Sequence, residues 1–488
     1  MTDDSSAMFS RLLALIYLIA FGSLAAQLTG LVGEHGILPV GEFLSRAHEA
    51  YGTDAYRLFP TLLWLSPTDA VLNVLSWSGI AVSVLLFFGI VPIASALTLW
   101  VLYLSLTVAG QVFLQFQWDA LLLEAGLLAV LSAPPVWISR PRTDPAPPAL
   151  VRCVVWGLAF KITFLSGATK LLSGDPTWAN LTALQYHYET QPLPMWTSWF
   201  MYQLPLTFHV GSAAGMFVIE LGASWTALLP PQWRRTRLAG CVLMIALQLG
   251  IAATGNYGFF NLLTIVLYLA LLDSRQSRHV VGKVPPGPAA IRSGPAAWRL
   301  VANGVAIVIA VLSVMTFFRE IDVTGGRSPV AGRLWSPRVL AWIDPLNSVN
   351  GYGLFRVMTT ERPEIVIEVS EDGVLWKEQE FRWKPGNLKQ RPRLVQPHMP
   401  RLDWQMWFAA LDPPSAQHWL RPLLDRLLAR EPSLTRLLGP NPLNGPPRFA
   451  RLAYYQYHFT SRQERAETGA WWKREFEGYL TDVVKRSD

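Results

Sequence analysis

The chain has 488 residues, of which 41 are Lys or Arg and 34 are Asp or Glu, so its formal net charge is +7 at pH 7. Apolar residues make up 51% of the chain and its mean hydropathy is +0.27, which is too apolar for an ordinary soluble enzyme. Its charges are mixed and it has only two cysteines, Cys153 and Cys241, which excludes a nucleic-acid-binding surface and a disulfide scaffold.

Nine apolar segments fill the first two thirds of the chain, and most have the roughly 20 residues that cross a bilayer. They run from Leu12 to Leu31, Val71 to Val91, Ile93 to Leu114, Trp118 to Ile138, Val154 to Leu172, Leu206 to Leu229, Leu238 to Ala253, Phe259 to Leu272 and Leu300 to Phe318. A signal peptide carries basic residues before its apolar core, but here Asp3 and Asp4 precede the first segment. We therefore expect an uncleaved anchor. The short seventh and eighth segments have a second interpretation, a re-entrant pair around residues 255–258.

Basic residues are concentrated in alternate connections between these segments. One set of connections holds only Arg46 and Arg57, and the other holds Arg140, Arg142, Arg152, Arg234, Arg235, Arg237, Arg275, Arg278, Lys283, Arg292 and Arg299. Since basic connections remain in the cytoplasm, nine crossings predict a cytoplasmic N-terminus and an extracytoplasmic domain over residues 319–488. Residues 1–318 form the predicted transmembrane domain, whose segment from Asp273 to Ala297 is typical of a cytoplasmic linker.

Six ionisable residues lie within or at the ends of the apolar segments, although a charge at the bilayer centre costs roughly 2.5–3.5 kcal/mol. They are Asp119, Glu124, Lys161, Lys170, His209 and Glu220. A rise of about 1.5 Å per residue gives Lys161 and Glu220 the same depth, so we expect them to pair. By the same reckoning Lys170 lies near the outer surface with Asp119 and Glu124. Either these charges hold helices together, or Lys170 acts as a base in an outer cavity.

The outer connection before the sixth segment is rich in polar and aromatic side chains, which is typical of a loop with a function. Candidate catalytic residues are Lys170, Asp119, Glu124 and His187, and candidate client- or ligand-binding residues are Trp118, Tyr186, Tyr188, Glu189, Asn256 and Tyr257. The alternative for the tryptophans nearby is an interfacial aromatic belt. No metal-ligand spacing, phosphate-binding glycine loop or serine nucleophile motif is present, so the sequence predicts no metal site and identifies no cofactor.

The last third of the chain predicts an α+β domain that contains a small antiparallel β-sandwich or meander. Alternation from Glu364 to Val369 and from Ala450 to Thr460 indicates strands, with a hairpin turn at Glu371 to Gly373. A helix is predicted over Ala416 to Leu438, broken by Pro432, with one apolar face formed by Trp419, Leu420, Leu423, Leu424, Leu427 and Leu428. An amphipathic helix is predicted from Gly469 to Val484.

Several ordered motifs resemble the lipase maturation factor family across nearly the whole chain. In the first domain these are residues 117–126, 181–194 and 255–261, and in the second they are residues 350–356, 383–386, 397–408 and 446–449. The resemblance implies a multi-pass membrane protein that helps exported proteins, such as a secreted lipase, to mature. Its partners would be the lipid bilayer and that client. It would reside in the cytoplasmic membrane of a bacterium or the endoplasmic reticulum membrane of a eukaryote.

A shorter match, Leu165 to Lys170 followed by Trp178, is similar to the membrane segment of vitamin K-dependent carboxylases. That similarity implies a catalytic base at Lys170. Two hypotheses therefore follow from the sequence: a membrane-bound maturation or folding factor whose outer loops and C-terminal domain engage a client, and alternatively a membrane-embedded enzyme that uses Lys170 on a lipid or protein substrate.

Overall fold

The computed structural model describes residues 3–140, 144–272, 294–326 and 331–486. Of the basic residues used to orient the chain, Arg142, Arg275, Arg278, Lys283 and Arg292 lie outside these ranges, as does most of the predicted linker.

The described part of the first domain is helical throughout, as its apolar segments predict. Its helices are α1 (Asp3–Ala25), α2 (Leu28–Val32), α3 (Val40–Tyr51), α4 (Ala55–Leu58), α5 (Asp69–Phe87), α6 (Pro92–Ala109), α7 (Gln117–Ser132), α8 (Ala149–Leu172), α9 (Pro176–Ala179), α10 (Ala183–Thr190), α11 (Trp196–Tyr202), α12 (Leu206–Phe217), α13 (Arg234–Ala252), α14 (Phe260–Leu269) and α15 (Ala296–Thr324). Helix α12 continues as a π-helical turn, Val218–Gly222, and a 3-10 segment, Ala223–Leu228.

Seven helices in the described ranges are long and apolar enough to cross a membrane, namely α1, α5, α6, α8, α12 with its continuation, α13 and α15. They coincide with seven of the nine predicted segments. The remaining two segments form the shorter helices α7, of 16 residues, and α14, of 10 residues. The chain is therefore an integral membrane protein with a multi-helix membrane domain.

The C-terminal domain contains one antiparallel sheet and a layer of helices. Its strands are β1 (Pro363–Ser370), β2 (Lys377–Gln379), β3 (Phe449–Phe459), β4 (Trp472–Tyr479) and β5 (Val484–Lys485), and its helices are α16 (Pro337–Ile343), α17 (Arg401–Leu411), α18 (Pro413–Leu428), α19 (Pro432–Thr435) and α20 (Arg462–Thr468). The strand order is β2-β1-β3-β4, and β5 also pairs with β3. This is a single open sheet, which excludes the sandwich alternative for the described residues.

Two of the predicted strands and the apolar helix face are confirmed. The six apolar side chains of α18 are all buried, and the helix ends at Leu428, shortly before the predicted break at Pro432, where the short helix α19 begins. The helix predicted from Gly469 to Val484 is wrong, since this segment forms β4 and β5. Aromatic and charged side chains alternate along β4, so Trp472 and Phe476 lie opposite aromatic residues of β3. These cross-strand pairs stabilise the strand, and a helix in this segment would not form them.

Helix α17 lies between the membrane domain and the sheet. On one side Trp407 Nε1 donates to the carbonyl of Thr190 at 2.8 Å, and Phe408 contacts Phe116. On the other side α17 packs against β1, where Ile365 and Ile367 are fully buried. One face of the sheet therefore points toward the helix bundle and the other points away from it.

Candidate functional site

Asp119, at the start of α7, forms an ion pair with an arginine of the C-terminal domain. The guanidinium of Arg401 donates to both carboxylate oxygens, at 2.5 and 2.7 Å, and the hydroxyl of Tyr103 donates to Oδ1 at 2.5 Å. Both charged side chains are only 1% exposed. A bidentate, buried pair of this kind fixes position and orientation, so it ties the start of α17 to the end of the helix bundle.

Glu124 lies deeper in α7 and forms the centre of a second charged cluster. It accepts hydrogen bonds from Lys161 Nζ at 2.6 Å and from two groups of the C-terminal domain, the Tyr352 hydroxyl at 2.7 Å and the Asn350 N–H at 3.1 Å. Tyr352 is completely buried. The segment that follows α15 therefore reaches into the helix bundle and donates the remaining hydrogen bonds to the buried Glu124 carboxylate.

Lys170 pairs with Glu220, and its ammonium group lies 2.9 and 3.1 Å from the two carboxylate oxygens. The Lys170 ammonium also lies 5.4 Å from the centre of the Trp178 ring. Glu220 comes close because it belongs to the π-helical turn that packs on Gly167, where a Cβ would stand only 2.9 Å from the Cβ of Glu220. This glycine allows the backbone approach that brings the pair together.

The two pairings expected from depth alone are wrong, because the lysines have exchanged partners. Lys161 pairs with Glu124 and not with Glu220, and Lys170 pairs with neither Asp119 nor Glu124. Counting residues assumes straight, parallel helices with known ends. The π and 3-10 turns that follow α12 and the short α7 both break that assumption.

His187, on α10, faces the turn between α13 and α14. Its Nε2 lies 2.8 Å from the Tyr257 hydroxyl, which donates in turn to Gln191 Oε1 at 2.8 Å. Burial, together with the nearby Lys170 charge, lowers the pKa of His187 from 6.5 to about 4. The imidazole is therefore neutral at pH 7 and serves as a hydrogen-bonding group. The ring of Phe355, from the C-terminal domain, packs edge-on against it.

Glu189, Gln191 and Pro192 meet a buried arginine that the sequence analysis missed. The guanidinium of Arg362 donates to the carbonyls of Glu189 and Gln191 at 2.7 and 2.5 Å, to that of Pro192 at 3.1 Å, and to Glu364 Oε1 at 2.8 Å. The carboxylate of Glu189 instead faces His458 Nδ1 at 3.0 Å, and burial raises the pKa of this glutamate. Arg362 thus fastens β1 to the end of α10 and the loop that follows it.

Asn256 clamps a third loop to the C-terminal domain. Its side-chain amide donates to the carbonyls of Leu193 and Arg393, and its oxygen accepts from the N–H groups of Val395 and Gln396. Trp118 and Tyr188 are also buried, and Tyr186 is partly buried. Trp118 packs against Trp404 of α17, with ring centres 4.8 Å apart.

Most of the candidate residues therefore lie at one interface between the two domains and not in one cavity, whereas Lys170 pairs with Glu220 inside the membrane domain. Asp119, Glu124 and Lys170 take part in three different ion pairs. No group of three or more metal-ligating side chains occurs in the part of the chain that the structure describes. Across the interface, Asp119 pairs with Arg401, Glu124 accepts from Tyr352 and Arg362 donates to the carbonyl of Glu189, so buried polar groups of each domain are satisfied by the other.

Comparisons with known proteins match both domains. Residues 5–279 match the family model described as the lipase maturation factor transmembrane domain, and residues 348–481 match the one described as the lipase maturation factor C-terminal domain.

Similar proteins include lipase maturation factor 2 of Homo sapiens and of Mus musculus, each 34% identical over an alignment that covers 96% of this chain and 81% of the relative. Lipase maturation factor 1 of Bos taurus is 32% identical, with 98% of this chain and 88% of the relative covered. No solved structure matches the chain.

Proposed function

The chain belongs to the lipase maturation factor family, and on that premise we propose that it is a membrane-bound maturation factor for an exported lipase. The outer loops and the C-terminal domain form a rigid platform that engages the client. The observation that carries this proposal is the buried interface, since Arg362, Arg401 and Tyr352 join the two domains through hydrogen bonds to groups that would otherwise be unsatisfied.

The proposed platform lies on the extracytoplasmic side of the membrane. Three predicted outer loops contact the C-terminal domain, through Asp119, Gln191 and Asn256. Charge bias supports the same side, because the arginine-rich connections occur at the other end of the helices. The N-terminus is then cytoplasmic.

Nine crossings fit this arrangement better than a re-entrant pair. The turn between α13 and α14 bonds to the C-terminal domain, where Asn256 donates to the carbonyl of Arg393 at 2.8 Å. At the opposite ends of these helices, Arg237 donates to the carbonyl of Leu271 at 3.0 Å. The two helices therefore run antiparallel and side by side between these two contacts, although α14 has 10 residues and α13 has 19, and this arrangement supports two crossings.

Catalysis is not part of the proposal. A catalytic lysine needs access to a substrate. Lys170 is buried, and its ammonium group already bonds to both carboxylate oxygens of Glu220. Nothing in the described residues groups Lys170 with a second candidate acid or base in an open cavity.

A secretion assay tests the proposed function. A cell line that lacks its own maturation factor is transfected with a secreted lipase, with or without this protein, and secreted lipase activity per unit of lipase antigen is measured. We expect the wild-type protein to raise that ratio several-fold. A variant with Arg362→Met should not, because its loop-to-strand bonds are lost, whereas the exposed Arg421→Met is the matched control. An unchanged ratio with wild-type protein contradicts the proposal.

Labelling of introduced cysteines tests the orientation. Cys153 and Cys241 are first replaced by alanine, and single cysteines are then placed at the exposed positions Asn180, Ser415 and Thr236. In intact cells an impermeant thiol reagent should label the first two and not the third. The reverse pattern contradicts an extracytoplasmic platform.

A further inference from the structure

The C-terminal sheet has one closed edge and one open edge. On the β2 side, the following segment is covered because the N–H of Gly439 donates to the carbonyl of Glu380 at 2.8 Å, and Gln379 Nε2 donates to the carbonyl of Gly439 at 3.0 Å. On the other side, β4 is the last strand, and among the described residues its backbone groups over 473–476 bond only to β3. Natural edge strands are usually covered, bulged or charged. β4 carries a bulge at Glu477 and several charges, but before the bulge it keeps a regular, uncovered ladder over residues 473–476.

The backbone groups that face outward from β4 follow from its register. The Thr460 N–H donates to the Trp471 carbonyl at 3.1 Å, so that pair is hydrogen-bonded, and pairs alternate along an antiparallel ladder. The N–H and carbonyl of Arg474 and Phe476 therefore point away from β3. The Trp472 N–H also points outward, and the Leu388 carbonyl accepts from it at 3.2 Å and from the Trp471 N–H at 2.8 Å. Residue 388 therefore covers the beginning of β4, and the free outward groups start at Arg474.

An ordered surface of aromatic rings and arginines lies beside this edge, on the sheet face that points away from the bundle. Arg474 lies 4.3 Å from the Tyr455 ring and bonds to Glu378. Arg451 lies 4.1 Å from both the Trp376 and the Tyr479 rings, and its Nε donates to Glu368 at 2.7 Å. The ring of Phe476 is 52% exposed and that of Tyr479 is 51% exposed. Tyr, Trp and Arg held in fixed positions are the residues that dominate binding energy at protein interfaces.

We propose that the β4 edge is the docking site for an extended segment of the client, which adds as a strand and lays apolar side chains on Phe476 and Tyr479. This inference rests on the proposed function and deepens it. The outward N–H and carbonyl groups of Arg474 and Phe476, two residues apart and just before the bulge, are complementary to another extended polypeptide backbone.

The charges of β4 favour a client over a second copy of this chain. Glu475 is exposed on the opposite face of the strand and Glu477 is exposed at the bulge, whereas Lys473 is already paired with Glu464 at 2.8 Å. If two β4 strands paired in antiparallel fashion about Phe476, Glu475 of one strand would lie opposite Glu477 of the other. Like charges opposite each other destabilise a sheet. The edge instead fits a segment that alternates apolar with basic residues.

A peptide-binding experiment on the full-length protein in neutral detergent tests this inference. The probe is a fluorescein-labelled eight-residue peptide that alternates Lys with Phe or Val, and its affinity is measured by fluorescence anisotropy against empty micelles. Replacing Lys by Glu in the probe should weaken binding at least 5-fold, and placing proline at two apolar positions should abolish it, because proline cannot complete the backbone ladder.

Variants of the edge sharpen the experiment. Phe476→Pro removes one outward donor and one ring, and we expect at least 10-fold weaker binding. Tyr479→Ala should weaken binding 3- to 10-fold, while Tyr51→Ala, which removes an equally exposed ring in the other domain, should not change it. Phe476→Ser is the second variant, because it keeps the backbone donor if the proline variant does not fold. Equal affinities across folded variants, or crosslinks between two copies through position 476, overturn the inference.

The secretion assay separates this inference from the proposed function. If folded Phe476→Pro protein matures the lipase as well as wild type does, the edge is not the client site and the maturation function stands. If wild-type protein binds the probe at the edge but leaves lipase activity unchanged, the maturation function falls and strand addition stands.

Discussion

The two sides of the C-terminal domain use arginine in opposite ways. Toward the membrane domain, Arg362 and Arg401 are fully buried and their donors are taken up by carboxylates and backbone carbonyls. On the outward sheet face, Arg451 and Arg474 lie against aromatic rings and remain partly exposed. The same side chain thus joins two domains on one side and orders a surface on the other.

The difference between the two sides is one of desolvation. A buried ion pair resists the loss of either partner, because the remaining charge is left without solvent, at a cost of about 3–5 kcal/mol. A partly exposed pair can be rehydrated, so its loss costs about 1 kcal/mol or less. The interface should therefore be intolerant of single substitutions, and the outer face should tolerate them for stability while depending on them for binding.

The largest effect is expected at the Asp119–Arg401 pair. Arg401→Met leaves the Asp119 carboxylate buried without its bidentate partner, and we expect destabilisation by about 3–5 kcal/mol, measured by thermal unfolding in detergent. The double variant Asp119→Asn with Arg401→Met should recover part of that loss. If Arg401→Met is as stable as the exposed-pair control, Arg421→Met, the buried interface is no more sensitive to substitution than the surface is.

The second-largest effect on stability is expected from low pH. The pKa of His187 is lowered to about 4, so the folded state binds fewer protons than the unfolded state between pH 6.5 and 4. The stability contribution is fully present above pH 6.5 and is lost as the pH falls to about 4, by about 3 kcal/mol at 1.36 kcal/mol per pKa unit. His398, whose pKa is also lowered to about 4, adds to this acid sensitivity.

A pH series of unfolding temperatures checks this prediction. His187→Gln should flatten the decline between pH 6.5 and 4, whereas His418→Gln, at an exposed position of α18, should leave it unchanged. Identical pH profiles for wild type, His187→Gln and His418→Gln would show that the interface does not desolvate His187.

A smaller loss is expected at the Glu124 cluster. Tyr352→Phe removes one hydrogen bond to a carboxylate that keeps Lys161 and the Asn350 N–H, so the expected loss is about 1.5–3 kcal/mol. Tyr56→Phe, at an exposed ring, is the matched control. A loss as large as that of Arg401→Met would mean that Tyr352, and not the ion pair, holds this part of the interface.

The smallest effect on stability is expected on the outer face. Arg451→Met removes a partly exposed pair with Glu368 and two ring contacts, and we expect a loss of about 1 kcal/mol. Peptide affinity at the β4 edge should fall more clearly, because Tyr479 loses the group that holds it. A loss of several kcal/mol would erase the distinction between the two sides.

Apolar periodicity predicted the helices well because it is a local property of the chain. It also gave the buried face of α18 residue by residue. It failed from Gly469 to Val484, where charged and aromatic residues fit a helix wheel as well as a strand, and pairing with β3 decided the outcome. Register with a distant strand cannot be read from the segment itself.

The partners of the buried charges could not be predicted by depth, but a count of charges carried a signal. The apolar segments contain three carboxylates, Asp119, Glu124 and Glu220, and only two lysines, Lys161 and Lys170. One carboxylate therefore needed a cation from elsewhere. Arg401 supplies this cation, and it lies in one of the motifs that resemble the family, residues 397–408.

The pairing of Asp119 with Arg401 also has a consequence for synthesis. The two residues are 282 positions apart, and at about 5–20 residues per second the ribosome needs roughly 14–56 s to make the second after the first. During that interval α7 enters the bilayer with a carboxylate that has no guanidinium to meet. A nascent chain that is halted before Arg401 keeps the Asp119 carboxylate without its bidentate partner.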